Sequence, residues 1–293
     1  MATAAGRTRR PRLTAVLREE ARVTPLELFF DLVFVLALTQ CTALMADEPT
    51  WGGVAKGLAV LGVMWWAWVG YAWLTSVVDP EEGSVRLAIF TAMAALLVVA
   101  LCVPGAFGDE ALLFAIAYAF VRAMQLVLFV AASRDDPGLR HSVVGLVVST
   151  MIGVGLLTAA AFADGTLQGA LWALALALDV GGPLLIDTSG WRLMPEHFAE
   201  RHGLIVIIAL GESIVAIGVG AEAGVTAGVA VAAVVGMALA AAQWWLYFDV
   251  VALVAARRLE NAEAGPSATR SRATPTPTCT SRWWPGSCSS RSG

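Results

Sequence analysis

The chain has 293 residues, 58% of them hydrophobic, and only 14% are Asp, Glu, Lys or Arg, against about 25% in soluble domains. With a mean hydropathy of +0.73, it carries more apolar surface than a soluble globule of this length could bury, and disorder requires the opposite composition. A soluble enzyme and a disordered chain are therefore excluded, and the net charge of −4 has no clustered basic face of the kind that binds nucleic acid.

What remains is an all-α polytopic membrane protein, with the lipid bilayer as its first partner. Residues 1–23 form a basic segment with Arg7, Arg9, Arg10, Arg12, Arg18 and Arg22. Its charged region is too long for a signal peptide, and no small-residue cleavage site follows a short apolar core. Eight stretches then approach the roughly 20 apolar residues of a transmembrane helix. They are 26–46, 54–75, 87–105, 111–132, 142–163, 168–187, 203–221 and 226–255. Their uninterrupted apolar character argues against a membrane barrel, whose strands alternate. The expected organisation is a basic segment over 1–23, a helical membrane domain over 24–258 and a polar tail over 259–293.

Basic residues orient the spans. Those before the first span predict a cytoplasmic N-terminus. The even-numbered connections hold Arg86, Arg134, Arg140, Arg192 and Arg201, and Arg257 and Arg258 follow the last span. The opposite connections, 47–53, 106–110, 164–167 and 222–225, have neither Lys nor Arg, and Lys56 lies just inside the second span. The expected location is a multi-pass place in the cytoplasmic membrane.

Charge at membrane depth costs at least about 2.5 kcal/mol, so each instance needs a reason. Glu27 follows Thr24-Pro25-Leu26 and reads as the third helical residue of a capping box with proline at the first position. Asp31 lies one turn deeper, beyond the reach of a cap, and must face the bundle interior with a partner. Arg122, midway along the fourth span, has two readings: a structural ion pair with Asp31 or Glu212, or a counter-ion in a substrate or proton path. Asp179 precedes Val180-Gly181-Gly182-Pro183, and Pro183 cannot donate to its carbonyl, so a kink or break is expected there. Glu212 lies midway along the seventh span, beside Gly211, expected to let a neighbouring helix approach, and Ser213, expected to satisfy a carbonyl. Asp187, at the cytoplasmic end of its span, reads as solvated, and Asp249 as lying near the cytoplasmic interface. Asp31, Asp179 and Glu212 outnumber the deep base Arg122, and surplus acid must be protonated, hydrated or bound to a cation.

Cys41 and Cys102 fall in separate spans with no disulfide or metal pattern. The segment 191–202 contains His197, Glu200 and His202 at helical spacing, but HExxH is absent, and a cytoplasmic interfacial segment anchored by Trp191 and Phe198 is the better reading. No metal or cofactor is expected.

Two segments carry a family resemblance. Thr24-Pro25-Leu26-Glu27-Leu28-Phe29-Phe30-Asp31-Leu32-Val33-Phe34-Val35 is one. The other is Glu200-Arg201-His202-Gly203-Leu204 with Ile208-Ala209-Leu210-Gly211-Glu212-Ser213-Ile214. Together they resemble the signatures of the bacterial low temperature requirement A (LtrA) family over about residues 22–260. The resemblance implies a bacterial multi-span membrane protein, with Glu27, Asp31, Glu200, Arg201, His202, Gly211 and Glu212 as signature positions. It implies no settled biochemical activity.

Residues 266–293 contain no Leu, Ile, Val, Asp or Glu. Composition alone describes a disordered tail. A one-base shift through GC-rich codons instead turns Arg272–Gly293 into an apolar continuation, with Trp283-Trp284-Pro285 becoming Val-Ala. The expectation is a frameshifted end that replaces at least one further span, and the nucleotide sequence decides it. For function, the leading expectation is transport or conduction of a proton, cation or small solute through a polar site of Asp31, Arg122, Asp179 and Glu212. Its rivals are a membrane-embedded enzyme on lipid-linked substrates and a non-catalytic stress-adaptation protein. Oligomeric state is not readable.

Overall fold

A computed structural model describes residues 22–185, 194–220 and 224–251. All belong to the first of two units into which the chain divides, Met1–Ala256; the second, Arg257–Gly293, lies outside the described residues, as does the whole tail under the frameshift expectation. The order is α1 (Pro25–Asp47), α2 (Trp51–Val77), α3 (Gly83–Leu101), α4 (Ala111–Ala132), α5 (Pro137–Ala160), α6 (Gly165–Leu185), α7 (Pro195–Gly220) and α8 (Ala227–Trp245). No strand occurs among the described residues. A 3-10 turn (Ser133–Asp135) leads into α5, and a π-helical turn (Leu246–Val251) extends α8.

Local chemistry sets the helix starts. Thr24 and Glu27 form the expected reciprocal capping box, with Pro25 at the first position. Thr50 caps α2 by accepting from Gly53 N at 3.1 Å. Asp136 caps α5 through Gly138 N and Leu139 N, ahead of Pro137.

Among the described residues, seven of the eight helices are long and apolar enough to cross a membrane. The expected span 168–187 falls on the remaining helix, α6, and its residues 186–187 lie outside the described residues. The expected break at Pro183 does not occur, and α6 runs unbroken to Leu185. The seventh helix also starts earlier than expected. Residues 195–202 form the first two turns of α7. Asp187 and Trp191 lie outside the described residues.

Helices α1 to α6 make one core, which Ile205 of α7 joins. On α1, Phe30 and Phe34 are buried while Phe29 and Leu32 face outward, the division expected of a helix with one side in protein and one in lipid. Tyr71 on α2 donates to the carbonyl of Val121 on α4 at 2.8 Å, and Tyr118 returns the contact to the Val63 carbonyl at 3.2 Å. These bonds hold α2 and α4 together without charge. Cys41 and Cys102 are buried and unbridged. At the edge, α7 packs on α1 and α2, and α8 packs on α7 with nearly all its apolar residues exposed.

Glu48, just after α1, pairs at the surface with Lys56 on α2, Lys56 Nζ lying 2.7 Å from Glu48 Oε2. The hydrogen bond from Lys56 holds the Glu48 carboxyl below its ordinary value. A lowered folded-state value contributes stability above the unfolded pKa, lost as pH falls through the folded one. Lys56→Met is therefore expected to flatten the acid limb of Tm against pH and to leave the neutral Tm almost unchanged, because solvent screens the pair.

Candidate functional site

The acids and bases expected to form one polar site form two buried clusters and one peripheral contact. The first cluster joins α1, α2 and α7. Arg201, 1% exposed, places Nη2 2.5 Å from Asp31 Oδ1 and Nη1 3.2 Å from Glu27 Oε1. The guanidinium also donates to Thr75 Oγ1 at 3.3 Å, and Trp68 Nε1 donates to Asp31 Oδ1 at 2.7 Å. The Trp68 ring lies 5.6 Å from Arg201 Cζ, in cation–π range. Glu27 turns its other oxygen to the cap, accepting from Thr24 N at 2.8 Å and Thr24 Oγ1 at 3.0 Å. One carboxylate thus starts the helix and shares in a buried ion pair.

His197 completes the cluster. Fully buried, it sets Nε2 2.9 Å from Glu27 Oε1, and neither ring nitrogen has a well-aligned hydrogen bond. Asp31 Oδ2 and Arg201 Nε are also buried without a partner. Two carboxylates therefore face one guanidinium and one imidazole. A narrow pocket lined by Glu27, Phe30, Tyr71, Thr75 and Arg201 reaches the group. His202 is placed apart from His197: its Nδ1 lies 2.8 Å from the Phe198 carbonyl, and its ring packs against Trp68 and Phe198. No group of three potential metal ligands occurs among the described residues. Glu200 is exposed and accepts from Val23 N at 3.3 Å.

The second cluster joins α4, α5 and α6. Arg122 is not paired with Asp31 or Glu212, the partners expected for it. Its Nη2 lies 2.8 Å from Asp179 Oδ1 and 2.8 Å from Thr150 Oγ1, and Thr150 donates to the same Asp179 oxygen at 3.2 Å. The reason is topological: α4 packs on α5 and α5 on α6, whereas Asp31 is occupied by Arg201. The expected shortage of bases is corrected too, since Arg201 is a second deep base. Glu212 is only half-buried and accepts from Thr39 Oγ1 at 2.5 Å. Gly211 admits no close helix among the described residues, for a Cβ there would meet nothing within 4 Å. Ser213 donates to the Ala209 carbonyl at 3.1 Å, and Asp249 is exposed in the π-helical turn.

Seen along the helices, the polar groups of α1 and α7 make facing stripes. Glu27, Asp31, Val35 and Thr39 recur every four residues on α1; His197, Arg201, Ile205, Ile208 and Glu212 follow helical spacing on α7. Asp31 and Thr39 are about 12 Å apart along the axis, at 1.5 Å per residue. Buried Val35 and Ile205 occupy the interval.

His197, Arg201, Trp68, Thr75 and Thr150 were not picked out as members of these clusters. For the first two a signal existed: Met194-Pro195-Glu196 places proline and an acid in a first helical turn, which carries the helix through His197 and Arg201. For Trp68, Thr75 and Thr150 no sequence signal exists, because a Trp or Thr in an apolar run reads as packing.

The chain matches the family described as Bacterial low temperature requirement A protein (LtrA) over residues 22–273. An uncharacterized protein of Rhizobium meliloti is 33% identical over a 233-residue alignment that covers 76% of this chain and 57% of that protein. The chain thus spans a little over half the length of that relative. No solved structure matches.

Proposed function

The chain belongs to the bacterial low temperature requirement A (LtrA) family, and we propose that it moves a proton or small cation along the seam between α1 and α7. The observation that carries this reading is the charge imbalance in the first cluster, where Glu27 and Asp31 outnumber Arg201 among residues no more than 1% exposed. An uncompensated charge in such a site is costly, so the group takes up a proton or a cation. His197 is placed to balance it, since its protonation brings the four side chains to neutrality. Its recorded contact is with Glu27, which also meets Arg201. Thr39 with Glu212 forms a second polar station farther along the seam, and the apolar interval at Val35 and Ile205 acts as the barrier between them. The membrane is the bacterial cytoplasmic one, with the N-terminus inside, as the arginine distribution supports.

Arg122 and Asp179 stand outside the route in this reading. They balance one to one and lock α4 to α6 through Thr150. A dissipation assay tests the proposal on protein reconstituted in vesicles that hold a pH dye. Wild type is expected to collapse an imposed pH gradient, and Asp31→Asn and Glu212→Gln to slow the collapse on the order of 10²-fold. A Na+ or K+ gradient in place of the pH gradient separates a cation from a proton. Rates unchanged in both variants would overturn the reading.

A further inference from the structure

The oxygens of the first cluster are nearly all engaged. Glu27 Oε2 accepts from Thr24 N and Thr24 Oγ1. Glu27 Oε1 lies 3.2 Å from Arg201 Nη1 and 2.9 Å from His197 Nε2. Asp31 Oδ1 accepts from Trp68 Nε1 and Arg201 Nη2, and Thr75 Oγ1 accepts from Arg201 Nη1. Asp31 Oδ2 differs from these: it is buried without a hydrogen-bond partner, on a residue that is 0% exposed. The groups that meet Asp31 are Trp68 from α2 and Arg201 from α7, with Glu27 one turn away on α1. The pocket at Glu27 and Arg201 adds Tyr71 and Thr75 of α2 and, from α3, the uncharged Ile89. The Tyr71 hydroxyl is already given to the Val121 carbonyl.

A hard metal cation gathers roughly six or more oxygen ligands. At Asp31 it would find one unengaged oxygen, and a guanidinium bonded to the other oxygen of the same carboxylate. A proton needs only one lone pair. Placed on Oδ2, it turns the carboxylate into a neutral carboxylic acid. Glu27 and Arg201 then remain charged one against one, and His197 stays neutral beside them. A proton on His197 also balances the cluster, but with four buried charges in place of two, and each buried charge must be stripped of water. We infer that the cargo of the α1–α7 seam is a proton seated on Asp31 Oδ2, and that the first cluster excludes metal cations. The proton site stands on the donor set alone; its service as cargo rests on the route proposed above.

The test reads protonation at equilibrium, with no gradient, on the full chain in lipid vesicles. Acid-minus-alkaline infrared difference spectra are expected to show the carbonyl band of a buried carboxylic acid. Aspartate labelled with 13C at its side-chain carboxyl is expected to move that band, which separates Asp31 from Glu27 without any substitution. Asp31→Asn is expected to abolish the band, and His197→Gln to leave it in place. Replacing N-methylglucamine by Na+ or K+ at constant ionic strength is expected to leave the titration midpoint unchanged. A metal cation competing for the same oxygen would lower the midpoint by about one pH unit per tenfold rise in concentration. Absence of the band, a band unmoved by the label, its loss in folded His197→Gln, or a midpoint that follows Na+ or K+ overturns the inference and leaves the route open to a metal cation. An Asp31 band in protein that collapses no pH gradient overturns the route instead and leaves the proton site standing.

Discussion

Arg201→Leu is expected to destabilise the protein by about 3–5 kcal/mol, the cost of leaving buried charges without their counter-ion. Arg201 bonds to Asp31, Glu27 and Thr75 together and is covered by the Trp68 ring. Its loss strands two carboxylates at once, and His197 can compensate only one of them. Denaturant unfolding of purified protein in detergent would measure the loss. Adding Asp31→Asn is expected to recover part of it, and adding Glu27→Gln less, because Glu27 also caps α1 and the glutamine amide would lose charge from that cap. A loss below about 1 kcal/mol would mean that the cluster is hydrated and screened like a surface pair.

The Arg122–Asp179 pair is expected to behave differently under the same treatment. Arg122→Met and Asp179→Leu should each cost about 3–5 kcal/mol, whereas the double variant should come within about 1–2 kcal/mol of wild type. The difference follows from stoichiometry. This pair is one to one, so removing both partners leaves no charge behind and a hydrophobic replacement fills the space. Around Arg201 there are two acids, and no single added substitution clears the site. If the Arg122/Asp179 double variant proves as unstable as the worse single one, Thr150 depends on the charges for its placement, and the pair is more than a lock.

The helices were largely legible in the sequence. The span 111–132 coincides with α4, and the capping chemistry at Thr24 is as the residue pattern implies. Hydropathy works here because every backbone group in lipid must be satisfied within its own helix. The partnerships were not legible. Periodicity says which face of α1 Asp31 occupies, but the residue opposite is 170 positions away. The rule that assigns arginines to cytoplasmic connections also misplaced Arg201, since it counts charges near span ends and cannot see one that has entered the helix. Gly211 shows the converse error: a glycine in a transmembrane run invites a packing role, yet α7 is open on that side among the described residues.

The long separation between Asp31 and Arg201 has a consequence for biogenesis. Chains enter the membrane from the N-terminus onward, so α1 arrives with its acids while the helix that carries their counter-ion has yet to be synthesised. During that interval Asp31 must stay protonated, remain near the interface or be shielded by the insertion machinery. The first helix therefore settles only when the seventh arrives, and the seam between them cannot close before nearly the whole bundle has been made. Stalling synthesis between α6 and α7 would leave α1 as the helix most exposed to quality control.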